Sequence, residues 1–180
     1  METSGLLQVF KNISNAYGDI FIFINAIAYV LGAFSALMGM ILLYQAGEGG
    51  GRSRASSLAW LWSFAAAIML FTLPAFIEAG GRQMFGAGMQ TNPLAYESAL
   101  KTGGELSPLV GLLQILGFCF SIRGLWVLRA VGIHGNHGQG GASFSKGFVM
   151  VVAGILLVHL KDFLGVLSSL TNLNLGAGLF

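Results

Sequence analysis

Residues 20–44 form an unbroken stretch of 25 residues without one Asp, Glu, Lys or Arg. About 20 apolar residues suffice for a helix to cross the hydrocarbon core of a bilayer. A run of this length constrains the chain more than any motif in it. Composition agrees: 55% of the 180 residues are hydrophobic and 9% are charged, against about 25% charged in soluble domains. Too few charges exist to cover a water-soluble surface, so lipid, or a partner standing in for lipid, is the expected solvent. The net charge of +2 is too small for a nucleic-acid surface, and any contact with DNA would run through an assembly. Cys119 is the single cysteine, which excludes a disulfide within the chain. The 27 glycines suit close helix packing in a membrane, where small residues let backbones approach.

The pattern predicts five segments. Residues 1–19 are amphipathic, with Leu6, Leu7, Phe10, Ile13 and Tyr17 at helical spacing. This reads as a short interfacial helix rather than the apolar run of a secretory signal. Residues 20–77 hold two hydrophobic helices, 20–44 and 58–77, joined by a glycine-rich turn with Arg52 and Arg54. Trp60 and Trp62 stand near the start of the second helix, at the level indoles favour, and Pro74 is expected to kink or end it. Residues 78–108 are a polar linker, with a short helix over 93–102 opened by Asn92-Pro93 and stopped by Gly103-Gly104. Residues 109–170 hold a third hydrophobic helix, 109–131, and a fourth from 147 to 160 that runs on past Lys161 and Asp162. Residues 171–180 are a tail. The fold class is all-α: four transmembrane-type helices in two tandem hairpins, with short amphipathic N-terminal and central helices.

The hairpins look like copies of one unit. Leu31-Gly32 and Gly39 recur as Leu116-Gly117 and Gly124 at an offset of 85, and Phe76 aligns with Phe163 once the second turn is allowed two more residues. Gly32, Gly39, Gly117 and Gly124 are the expected helix-packing glycines. Two hairpins in one orientation would make parallel repeats. Arg52, Arg54, Arg129 and Lys146, with Arg123 if it leans that way, then share one face. Six of the seven acids lie opposite, so one face is basic and the other acidic. The positive-inside rule slightly favours turns in the cytoplasm.

No residue set carries catalysis. Arg123, inside the third helix, is costly at mid-bilayer. It either snorkels toward the Arg129 end, meets a lipid phosphate or a neighbouring acid, or lines a substrate path. His134 and His137 lack the further ligands zinc requires, and the 135–141 tract lacks the Lys-Ser/Thr of a phosphate loop. Glu97 and Glu105 have no pocket in view. His159 reads as locally hydrogen-bonded or interfacial, and Cys119 as a packed apolar residue. No metal and no enzymatic activity are expected.

A hydrophobic helix, a short basic turn and a second hydrophobic helix resemble the conjugative pilins of type IV secretion systems. Leu31-Gly32 to Tyr44, Arg52, Arg54 and Leu58 to Pro74 carry the resemblance, and Leu116-Gly117 to Arg129 with Lys146 to Leu160 repeat it. Over most of its length the chain is also similar to TraQ-like conjugal transfer proteins of IncI-type plasmids. Those are similar in turn to the IcmC and IcmD membrane proteins of Dot/Icm (type IVB) systems. Ordinary conjugative pilins have one hairpin, whereas two are expected here. The resemblance implies a pilin-like structural subunit of the bacterial inner membrane, assembling with itself and with other secretion-system subunits into a pilus or channel. DNA or protein cargo would pass through the assembled lumen. Phospholipid is the one bound cofactor it implies, with Arg52, Arg54, Arg129, Lys146 and Arg123 as candidates for the headgroup or the lumen. The alternatives are a stationary inner-membrane component of the same machine, or a small transporter or channel built of parallel repeats.

Overall fold

A computed structural model describes residues 16–48, 59–86, 107–134 and 143–171. All its elements are α-helices: α1 (Tyr17–Glu48), α2 (Ala59–Phe71), α3 (Leu73–Phe85), α4 (Ser107–His134), α5 (Phe144–Val158) and α6 (Leu160–Thr171). The expected central helix and most of the N-terminal one lie outside the described residues. Tyr17 and Asp19, placed in that N-terminal helix by the sequence, belong to the first turn of α1.

Two helices are long and apolar enough to cross a membrane: α1 over Tyr17–Gly47 and α4 over Leu109–Ile133. The other two expected spans are interrupted. α2 and α3 meet at an 89° bend, and α5 is apolar but only 15 residues long. The bend begins at Thr72, whose hydroxyl and amide both donate to Ile68 O, at 2.8 and 2.9 Å. Pro74 follows in the first turn of α3, where its missing N–H and its ring forbid a continuous helix. Residues 78–85, assigned by the sequence to the linker, are the second half of α3. α5 starts one turn earlier than expected, because Ser143 caps it by accepting from Lys146 N at 3.3 Å.

α1 and α2 are antiparallel, as are α4 and α5, and the two hairpins duplicate one another contact by contact. A Cβ added at Gly32 would meet Ala67 O and the Leu70 and Phe71 side chains, and one at Gly117 would meet Gly154 O and Val158. At Gly39 it would meet Phe64, and at Gly124 it would meet Val151. First helices are related by 85 positions and second helices by 87: 67 becomes 154, 71 becomes 158 and 64 becomes 151. Thr72 becomes His159, and the second break falls there without any proline. The backbone matches as well, with φ −106°, ψ 27° at Thr72 and φ −99°, ψ 33° at His159. Among the described residues each repeat is therefore a helix, a second helix antiparallel to it, a break and an amphipathic third helix.

α1 and α4 run parallel. Tyr17 bonds Gln114, Phe21 meets Phe118 edge-on with centroids 4.6 Å apart, and Phe34 stacks on Trp126. The core lies where the first half of α1 meets both α2 and α3 near their break, α4 and α5. Ile24, Ala28, Leu70, Leu73, Ile77, Phe118, Leu125 and Ile155 are buried there. The outer side of α1 exposes Ile22, Phe23, Val30, Leu37 and Met40, a row of large apolar side chains that suits contact with lipid or another protein.

Candidate functional site

Of the five basic residues that the sequence grouped, three lie among the described residues: Arg123, Arg129 and Lys146. Arg52 and Arg54 lie outside the described residues. Lys146 is exposed on the first turn of α5, and Arg123 is exposed on α4. Arg129 alone turns inward, with only 6% of its surface exposed.

Its surroundings follow from helical spacing. Trp126, three residues earlier, lies on the same face of α4, and the guanidinium carbon stands 4.7 Å from the centroid of the Trp126 ring. The Phe34 ring of α1 approaches from the other helix, at 5.6 Å. The two rings are themselves stacked at 6.1 Å. Each cation–π contact contributes about 0.5–2 kcal/mol, the more so where water is excluded. Neither ring accepts a conventional hydrogen bond in the guanidinium plane. Arg129 Nε is buried and has no hydrogen-bond partner, and no acid among the described residues pairs with the group.

Beside it, α1 and α4 leave a groove of about 450 Å³. Met38, Ile41, Leu42 and Ile133 line it, with Gln45 as the one other polar side chain. A planar cation with an unused donor at one end of an apolar slot is matched to an anionic amphiphile. Guanidinium binds phosphate or carboxylate through paired N–H donors, and the slot accepts hydrocarbon.

A second polar layer lies at the opposite end of the molecule. Tyr17 Oη donates to Gln114 Oε1 at 2.8 Å, and Gln114 Nε2 donates to Val158 O, on the last residue of α5, at 3.2 Å. His159 is buried at the break, with Nε2 3.4 Å from Ile77 O and Nδ1 3.5 Å from Asp162 Oδ2. Gly81 makes room for the ring, because a Cβ there would overlap it. These groups hold α3 and α6 onto the core. The sequence reading placed His159 in local hydrogen bonding or an interface but missed Gln114. Its signal was an amide alone among apolar neighbours from Leu109 to Cys119. Cys119, expected to be packed, is exposed, because the burial of Phe118 turns the next residue outward. Of the two other histidines, His137 lies outside the described residues and His134 ends α4. Glu97 and Glu105 also lie outside. Among the described residues no three His, Cys, Asp or Glu side chains gather where a metal could bind.

Over its described residues the chain is all-helical, with two helices long and apolar enough to cross a membrane and a groove holding Arg129 between them. No protein-family model matches it, and neither a curated protein nor a solved structure is found similar to it.

Proposed function

We propose that the chain is a membrane-embedded structural subunit that binds anionic lipid and assembles with copies of itself. In this reading it is the pilin-like subunit of a conjugative type IV secretion system, drawn from the bacterial inner membrane into a pilus or channel for DNA or protein. The observation that carries the lipid-binding part is Arg129, a buried guanidinium with an unpartnered Nε at the end of an apolar groove. A phosphate headgroup completes its donors, and an acyl chain fills the slot along Met38 and Ile41. Glycines at the helix crossings suit a subunit whose apolar faces exchange lipid for neighbours.

A stationary component of the same machine would share these features and differ only in never leaving the membrane. A transporter would place its broken helices around a passage. Here Leu70 and Leu73 beside the first break, and Val158 beside the second, are buried in the core. Packed breaks favour the structural reading.

Two measurements test it. Native mass spectrometry of the detergent-purified chain should find phosphatidylglycerol bound, reduced about tenfold, or about 1.4 kcal/mol, by Arg129→Gln. The exposed Arg123→Gln variant should retain it. Equal retention in both variants would remove Arg129 from lipid binding. Electron microscopy of sheared cells overproducing the chain should show filaments containing it. Their absence, with the chain confined to the membrane fraction, would select the stationary component.

A further inference from the structure

The two repeats meet through one contact whose equivalent is left open. Trp62 of α2 packs directly on Gly132 of α4, where a Cβ would overlap the indole. Along the same stripe of α4, Phe118 and Leu125 are 1% and 2% exposed beneath the first hairpin. Shifted by 85 positions, the stripe of Phe118, Leu125 and Gly132 becomes Ala33, Met40 and Gly47 on α1. Met40 is 57% exposed, and nothing stands within 4 Å of a Cβ placed on Gly47. Shifted by 87 positions, Trp62 becomes Val149 on α5, which is 62% exposed. Both halves of the inter-repeat contact thus recur, unused, on opposite ends of the chain.

Parallel repeats join through unlike surfaces, so their contact is heterologous and leaves one copy of each surface free. The α1 stripe is also distinct from the other faces of that helix. Gly32 and Gly39 face α2, while Phe34, Met38 and Ile41 face the Arg129 groove. We propose that a second copy of this chain covers the stripe Ala33–Met40–Gly47 with its own α5, seating Val149 on Gly47 as Trp62 sits on Gly132. The docked pair presupposes the self-associating subunit proposed above and names its surface. Repeated, the contact builds a ring if the rotation per chain closes, and a helical filament if it does not.

Cysteine cross-linking in native membranes tests this, in a Cys119→Ser background. Gly47→Cys lies in open space and Val149→Cys is exposed, so neither should disturb folding. The double variant should give a ladder of dimers, trimers and higher species on oxidation. Chains bearing only one of the two should stay monomeric alone and give dimers, but no ladder, when co-expressed. Trp62→Cys with Gly132→Cys should close within one chain, and its failure would overturn the template contact and the docked pair together. Dimers from Val149→Cys alone would mean a two-fold contact and would overturn the head-to-tail surface. Oligomers seen by native mass spectrometry without the Gly47–Val149 cross-link would overturn the surface and spare self-association. Monomers by both methods would overturn self-association as well.

Discussion

Replacing Gly154 with alanine gives the second hairpin the residue that the first already carries at the equivalent position, Ala67. A Cβ at Gly154 falls 2.6 Å from Gly117 O and 2.8 Å from Ser121 N, both backbone atoms of α4. Comfortable contacts of this kind lie near 3.5 Å, so α5 must retreat by about 0.5–1 Å. That loosens Val151, Ile155 and Val158 against Phe118 and Leu125, at an overpacking cost of about 1–3 kcal/mol. The better helix propensity of alanine returns about 0.5–1 kcal/mol. The net expectation is a loss centred on about 1 kcal/mol. At Gly32 the nearest atoms are Phe71 Cδ1 at 3.3 Å and Ala67 O at 3.4 Å. Phe71 is partly exposed and can swing aside, so Gly32→Ala should be neutral or stabilising by up to about 0.5–1 kcal/mol. Reversible unfolding in mixed micelles under increasing dodecyl sulfate, read by fluorescence of Trp60, Trp62 and Trp126, measures both. Equal midpoints for Gly154→Ala and the parent chain would refute the backbone contact between α4 and α5. Equal damage at Gly32 would refute the difference between the hairpins.

Further outcomes follow from the polar layer, the bend and the basic turn. Gln114→Leu strands the Tyr17 hydroxyl and should cost about 1–3 kcal/mol. Adding Tyr17→Phe should then cost less than it does in the parent chain, and strict additivity in the same unfolding assay would deny the coupling. Pro74→Ala should leave the 89° bend in place, since His159 breaks its helix without proline. Spin labels at the exposed Leu61 and Met84 should stay about 24 Å apart, and a rise to about 34 Å, the length of a continuous helix, would show that proline alone makes the bend. Reversing Arg52 and Arg54 to Glu should impair lipid retention or filament assembly, and normal pili with normal transfer would sink that role for the turn.

Legibility from sequence tracked the range of the interactions. The uncharged run of α1 and the recurrence of Gly32 and Gly39 at Gly117 and Gly124 are local patterns, and each was readable. The break at Thr72 was half readable, since Pro74 announced an interruption but not its angle, which the packing of Leu70, Leu73 and Ile77 sets. The break at His159 left no signal at all, because no glycine or proline marks it and only the repeat explains it. Arg129 was grouped with the basic turns because its charge was counted without its helical phase. Its phase on α4 matches that of Leu125 and Gly132, residues that face the first hairpin, and this turns it inward. Arg123 is out of that phase and stays outside.

The repeat also accounts for where the large buried polar residues occur. Small buried hydroxyls occur in both hairpins, at Ser35 and Ser63 in the first and Ser121 in the second. The large polar side chains, buried Gln114, Arg129 and His159 and half-buried Trp126, all belong to the second hairpin, where the first has Tyr29, Tyr44, Thr72 and Ile41. Tyr29 stacks on Phe71 at 6.2 Å in the place where Gln114 bonds Val158 O. Tyr29, Ile41 and Tyr44 are exposed, whereas Gln114, Arg129 and His159 are buried, mostly against helices of the first hairpin. A polar side chain facing hydrocarbon is costly, so these positions could become polar only in the copy whose outer face was covered. The repeat provides two like scaffolds, and covering one by the other leaves a dry interior that holds the Arg129 guanidinium. By the same logic the exposed counterparts on α1 stayed apolar or aromatic, a surface fit for lipid or for another α5 and unsuited to a second charged groove.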